Sequence, residues 1–406
     1  MQHLLANMKT LCDTTRMLTG LTIAYGTPRE SEQLTWGRAQ EMILSGDQFV
    51  PEVRLLNEDS IYDLASLSKL FTAVMTMILV EKGHLSLDEY VGEIDPRFTQ
   101  LKNVSVFDTL SFRAGLKTPG RIDAAPDREE ALRRLFAVTC GEPERIRIYS
   151  DINAMVMKYV IEQKTGLPFA QALQQYIFAP IGLHHTYTSV PSALANRCVC
   201  YNYEHRIAGE DYILRTEPAP GHVHDPKAAR LSLDGRDLCG HAGLFSTRDD
   251  MIRFAQALLS GELLTAASLR AIGQNRTGFP YGDGTHRQYL GFLCFTKHPN
   301  QHLSEVPAWM CEGSIGLSGF TGNHLSLDLD KQCFVLFLGN RCHGRVSNIQ
   351  PPPGGSLQDY GLHEDGTGCV KWTDGRLVPS SARYVYFKDA LLHAPIEERM
   401  KQLGWL

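Results

Sequence analysis

Ser66 and Lys69 stand three residues apart in the stretch DLASLSKLFTAV, residues 63–74. On a helix that spacing puts both side chains on one face, so a lysine amine can reach a serine hydroxyl. The chemistry open to such a pair is nucleophilic. The serine oxygen attacks a carbonyl, and a neighbouring base takes its proton. The same four letters also arise by chance, so two polar residues sharing a turn is the plain alternative. The setting favours the chemistry. Residues 70–80, LFTAVMTMILV, are apolar almost throughout, and Gly83 follows Glu81 and Lys82. This predicts a buried helix over 64–82, ended by a glycine. Ser66 falls at its start, where free N–H groups and the positive end of the dipole favour developing negative charge. Lys69 enters an apolar helix, which is costly for an ammonium without a partner or a task.

A nucleophilic serine also needs a base, an oxyanion hole and a group that holds the substrate. Three further stretches offer these. Tyr149, Ser150 and Asp151 precede NAMVMKYVIEQKTG, so Asp151 is either a site residue or the N-cap of a helix. His241 sits in CGHAGLFSTRDDMIRFAQALL, as a site residue or as a loop histidine satisfied by backbone. GSIGLSGFTGNHLSLDLD has glycines that let one backbone approach another beside a strand, as the edge of an oxyanion hole requires. A tight turn is the alternative there.

The elements that must position these residues follow from periodicity. LTIAYGTP (21–28) and EQLTWGRAQ (32–40) read as a β-hairpin. Residues 85–200 read as mostly helical, with helical spacing in VFDTLSFRAGL, DREEALRRLFAVT, NAMVMKYVIEQKTG and FAQALQQYIFAPIGL. Residues 201–240 read as irregular. Helices return at 249–261 and 265–274, and strands at QYLGFLCF (288–295), NHLSLDLD (323–330) and CFVLFLGN (333–340). Residues 348–368, with three prolines and five glycines, read as a loop excursion. The C-terminus reads as a helix that Pro395 interrupts or restarts. Strands at both ends with helices between predict an α/β (α+β) fold, an antiparallel sheet flanked by helices and made from both termini. The expected division is a sheet lobe (1–76 and 245–406) and a helical lobe (77–244). An excursion covers 346–380, and the site lies in the cleft between lobes.

The 406 residues are 43% hydrophobic and 21% charged, an ordinary globular balance. Net charge is −5 with no basic cluster, which argues against nucleic acid as a partner. The longest apolar run, 70–80, is too short to span a bilayer. MQHLLANMKTLCDTTRM lacks the charged and apolar regions of a signal peptide, so the expected location is cytoplasmic. Ten scattered cysteines suit free thiols in a reducing compartment. Cys198 and Cys200 form the one close pair, without the further ligands of a zinc site. No metal and no cofactor are expected.

Taken together and in order, Ser66-Leu67-Ser68-Lys69, Tyr149-Ser150-Asp151 and Leu317-Ser318-Gly319 resemble the three signature elements of the class C β-lactamase and low-molecular-mass penicillin-binding-protein family. GHLSLDEYV, YSDINAMVMKYVIEQKTG, GHAGLFSTRDDM, GFTGNHLSLDLD and Gly339-Asn340-Arg341 extend the likeness over about residues 20–345. GHVHDPKAA (221–229) resembles a peptidase-like and esterase-like branch. The resemblance implies roles. Ser66 forms an acyl-enzyme, Lys69 and Tyr149 move its proton, and the N–H groups of Ser66 and Phe320 form the oxyanion hole. Free tyrosine has a pKa of about 10, and a Lys69 ammonium would favour its phenolate.

Two departures bear on the substrate. The family usually has Lys or His where this chain has Leu317, and that cation helps hold a substrate carboxylate. Arg341 or His241 is a possible substitute. The family often has Asn where this chain has Asp151, an ionised residue that would favour Lys69 as ammonium and repel an anion. Asn153 is the alternative amide. The expectation is an acyl-serine hydrolase, esterase-like or amidase-like rather than an efficient β-lactamase, on a small-molecule or short-peptide acyl substrate. The alternatives are an acyltransferase, a D-alanyl peptidase or β-lactamase, and a catalytically silent binding protein.

Overall fold

The computed structural model describes residues 1–232 and 238–406. Its centre is a seven-stranded sheet built from both ends of the chain. The strands are β1 (Gly20–Gly26), β2 (Ser31–Ser45), β3 (Gln48–Leu55), β4 (Phe295–Thr296), β5 (Ile315–Ser318), β6 (His324–Asp328) and β7 (Cys333–Gly339). Their order is β3-β2-β1-β7-β6-β5-β4, and every neighbouring pair is antiparallel. The two ends of the chain meet where Leu21 pairs with Gly339 and Ile23 with Phe337.

The β7 sequence, CFVLFLG, shows no polar alternation because both faces of the strand are covered. Cys333, Val335 and Phe337 share a core with Leu4 and Met8 of the N-terminal helix and Ile396 and Met400 of the C-terminal one. Phe334, Leu336 and Leu338 belong to the main core with Phe71, Val74 and Ile78 of α1 (Ser68–Glu81). Leu336→Ala removes a fully buried side chain from this layer, and unfolding in urea should show a loss of about 2–5 kcal/mol. A loss below about 1 kcal/mol would show that the layer is not packed this way.

Two helices position the candidate residues. A 3₁₀ turn, Ala65–Leu67, leads into α1, so Ser66 sits just ahead of the regular helix. Gly83, at φ +71°, follows its end. The second, α2 (Asp151–Thr165), packs on α1. Ser150 caps it, its hydroxyl accepting from the Ile152 N–H, and Gly166 in the left-handed region ends it. At the C-terminus Pro395 lies in the first turn of a helix over Ala394–Gln402.

The structure departs from the expected pattern in three places. β3 follows the expected hairpin although Pro51 interrupts its pattern; as an edge strand it tolerates a residue without an N–H. QYLGFLCF is not a strand. Only Phe295 of it enters the sheet, and the rest turns on itself with Gly291 N–H donating to the Cys294 carbonyl and Leu293 at φ +55°. Its apolar side chains mark burial rather than pairing. The stretch 201–240, of which 233–237 lie outside the described residues, holds a hairpin (Glu204–Ala208, Asp211–Arg215) and a helix (Pro226–Leu231). Val346–Gln350 pairs parallel with Glu204–Ala208, so the start of 346–380 is anchored in a small three-stranded sheet. No helix among the described residues is long and apolar enough to cross a membrane.

Candidate active site

Asp63, fully buried, builds the turn beneath Ser66. Its Oδ1 accepts from the Ala65 N–H at 2.8 Å and its Oδ2 from the His224 N–H at 2.7 Å. Ala65 is held at φ +46°, a region that side chains with a Cβ avoid unless the surroundings impose it. Lys69 Nζ then donates to Ser66 Oγ at 2.8 Å and to the His241 carbonyl at 3.3 Å. It also lies 2.8 Å from Asp151 Oδ1. Burial alone would favour the neutral amine, but the Asp151 carboxylate and Tyr149 override it and raise the Lys69 pKa. The ion pair with Asp151 thus favours the ammonium form of Lys69.

Tyr149 stands beside both Lys69 and Ser66, with Lys69 Nζ 5.0 Å from its ring centroid, and shares the cavity wall with Ser66. Its ring stacks on Phe295 with centroids 5.0 Å apart, and its backbone N–H donates to Gln288 Oε1 at 2.8 Å. Ser150 faces away, committed to capping α2. Desolvation raises the Tyr149 pKa, outweighing the opposing pull of Lys69, and Asp151 adds to the rise. The expectation that Lys69 would favour the phenolate therefore leaves out burial and the Asp151 charge, which together outweigh it.

The end of β5 passes so close to the Ser66 turn that a Cβ on Gly319 would lie 2.6 Å from the Leu64 carbonyl oxygen. Only glycine fits there. Thr321 Oγ1 and Asn323 Nδ2 donate to the Asp63 carbonyl at 2.9 and 2.7 Å, tying this segment to the nucleophile turn. Phe320 is thereby presented to the cleft. Its ring stacks on His224 with centroids 5.6 Å apart, and the guanidiniums of Arg206 and Arg341 each lie 5.1 Å from it.

Ser66, Tyr149, Asp151 and Phe320 line one cavity of about 520 Å³, together with Arg206, His224, Asp225 and Lys227. A larger cavity of about 740 Å³, between the N-terminal segment and the β2–β3 hairpin, contains none of the candidate residues. Other candidates fall outside the 520 Å³ cavity. Leu317 is buried in the main core and pairs with Leu325. Ser318, on the opposite face of β5, donates to Glu305 at 2.6 Å and lies 2.9 Å from both His324 Nδ1 and Lys388 Nζ. Asn153 is buried and donates to the Thr109 carbonyl at 2.7 Å. Arg341 donates to the Ser347 carbonyl behind Phe320. His241 Nε2 lies 2.9 Å from Asp225 Oδ1.

Asp63, Asp225 and Lys227 were missed as individual site residues. The signal for the last two was GHVHDPKAA, visible as a stretch but with nothing to say which side chain meets α2. Lys227 Nζ donates to Asp151 Oδ2 at 2.8 Å. Asp225 caps the Pro226–Leu231 helix through the Lys227 and Ala228 N–H groups.

Comparison with known proteins bears on the family and the fold. Residues 46–352 match the family model described as Beta-lactamase. A curated relative from Salmonella enteritidis PT4, named "Putative D-alanyl-D-alanine carboxypeptidase", is 24% identical over 363 residues, covering 79% of this chain and 78% of its own. Among solved structures, EstCE1, a hydrolase with promiscuous acyltransferase activity, superposes with a TM-score of 0.63 at 19% identity, covering 84% of this chain and 93% of its own. A Beta-Lactamase/D-Alanine Carboxypeptidase from Pseudomonas syringae does so with a TM-score of 0.60 at 18% identity, over 84% and 93% of the two chains. With a family model matched across well over half its length, the chain belongs to the beta-lactamase family.

Proposed function

We propose that this protein is a serine hydrolase that cleaves an ester or amide through an acyl-enzyme on Ser66. The observation that carries the reading is the Ser66–Lys69 hydrogen bond with Tyr149 beside it at the wall of an open cavity. Tyr149, in the fraction that is ionised, takes the Ser66 proton while Oγ bonds to the substrate carbonyl carbon. The N–H groups of Ser66 and Phe320 hold the resulting oxyanion. As the intermediate collapses, the bond to the leaving group breaks and Tyr149 returns the proton to that group. Water then repeats the sequence on the acyl-serine and releases the acid. Lys69, an ammonium throughout, steadies the phenolate.

The cavity wall favours an uncharged acyl substrate. Its lysine and both its arginines are already matched, Lys227 by Asp151, Arg206 by Glu204 and Arg121 by Asp123, and Leu317 supplies no cation. A panel of p-nitrophenyl butyrate, nitrocefin and a D-alanyl-D-alanine peptide, with intact mass after each, tests this. Turnover and an acyl adduct are expected with the ester, and little hydrolysis of nitrocefin. Efficient nitrocefin turnover would count decisively against the substrate reading.

One observation favours acyl transfer as a second reading. A cavity of about 320 Å³, lined by Phe112, Lys117, Glu144 and Asn153, shares Tyr149 with the first, and offers room for an acceptor beside the proton-carrying residue. Partition of the acyl group from the ester to an added alcohol, against water, measures it.

A further inference from the structure

Tyr149, Lys69, Asp151 and Lys227 lie in a row. Lys69 Nζ lies 5.0 Å from the Tyr149 ring centroid and 2.8 Å from Asp151 Oδ1, and Lys227 Nζ lies 2.8 Å from Asp151 Oδ2. In charge the row reads phenol, ammonium, carboxylate, ammonium. Asp151 has two opposed effects on a tyrosine base. It keeps Lys69 charged, which helps a phenolate, and it repels that phenolate directly. With Lys69 and Asp151 alone the local charge sums to zero, and a phenolate would stand uncompensated. Adding Lys227 makes phenolate, two ammoniums and one carboxylate sum to zero.

We propose that Lys227 is a positioning residue of this site: by gripping the outer oxygen of Asp151 it points that carboxylate at Lys69 and offsets its charge, and so sets the pH at which Tyr149 accepts the Ser66 proton. The proposal rests on the catalytic reading given above. The burial of the ions supports it. Burial works against charge on Lys227, yet Asp151 and Asp225 override it and keep it an ammonium. Burial likewise pushes the Asp151 carboxyl up, and Lys69, His241 and Lys227 bring it well below the ordinary range. The other charged groups facing the site are already paired. Asp225 meets His241 and two backbone N–H groups, Arg121 pairs with Asp123, and Arg206 and His224 both pair with Glu204. Lys117, Glu142, Glu144 and Arg147 line the cavity on the other side of Tyr149 and are unchanged in every variant below.

The test is the pH profile of Ser66 labelling by a fluorophosphonate, in which Oγ displaces fluoride from phosphorus and no substrate carboxylate is involved. Labelling rises with pH as Tyr149 ionises. Lys227→Met removes a positive charge and should move this rising limb to higher pH, slowing labelling on the limb by about tenfold. Asp151→Asn removes a negative charge and should move it to lower pH. The double variant restores the sum and should bring the limb back towards that of the unmodified protein, and Lys227→Arg should keep it in place. A Lys227→Met loss that is equal at all pH values, or no change at all, overturns the proposal. So does a double variant whose limb lies beyond that of Lys227→Met. If Lys227→Met does not fold by circular dichroism, Asp151→Asn and Lys227→Arg still decide, since an unmoved limb in the first or a moved limb in the second is fatal. Labelling that persists in Ser66→Ala would instead remove the catalytic reading itself.

Discussion

Ser66→Ala should abolish both ester turnover and the acyl adduct, a loss on the order of 10⁴-fold or more, as expected when a nucleophile is removed. Ser68→Ala should still form the adduct. The two serines are two residues apart and both lie near Lys69 in sequence, but their surroundings differ. Ser66 Oγ lies 2.8 Å from Lys69 Nζ and lines the cavity. Ser68 is buried, and its hydroxyl accepts from the Leu244 N–H at 3.2 Å. Ser68→Ala leaves that N–H unpartnered, so about 1–3 kcal/mol of stability is expected to go, with the chemistry retained. Peptide mapping that finds the acyl group on Ser68 would sink the assignment.

Tyr149→Phe should lower the rate of acylation by about 10²-fold or more, the scale of a general base. It removes one hydroxyl and leaves the stack on Phe295 in place. Ser150→Ala should cost much less in rate. A competing reading makes Ser150 the proton carrier of a broken Ser-Asp-Asn element, which would need Asn at 152, where the chain has Ile152. In the structure Ser150 accepts from the Ile152 N–H, while Tyr149 is the residue that lies beside Lys69 and lines the cavity with Ser66. Ser150→Ala should therefore appear in thermal unfolding, at about 1 kcal/mol for a lost cap, rather than in acylation. Single-turnover kinetics of both variants with p-nitrophenyl butyrate separate the two. A larger rate loss in Ser150→Ala than in Tyr149→Phe would return the proton to Ser150.

The residues of the second motif show how far local reading reaches. That a helix starts near Asp151 was visible, because a polar residue ahead of an apolar-periodic run satisfies free N–H groups. That Ser150, not Asp151, caps it and that Asp151 enters the cleft was not, because the answer depends on where Lys69 and Lys227 lie. The third motif behaves the same way. Its glycines signalled a close approach, and Gly319 makes one. The signature text alone could not show that the Leu317 side chain is in the core while the Ser318 hydroxyl is held by Glu305, His324 and Lys388 behind the strand.

By itself the sequence determined what local energetics control. This includes the buried α1 with Ser66 and Lys69 on one turn, the glycine that ends it, the paired strands His324–Asp328 and Cys333–Gly339, and the first hairpin. Each rests on side-chain periodicity or on a backbone preference spanning a few residues. Tertiary structure alone decided that β1 pairs with β7, that QYLGFLCF folds back rather than joining the sheet, and that Asp63 underlies the nucleophile. It also decided that Lys227, 76 residues from Asp151, completes the ion chain. Those outcomes turn on distances and burial, since the energy of a charge pair depends on its separation and on how much water surrounds it. No run of neighbouring residues encodes either quantity.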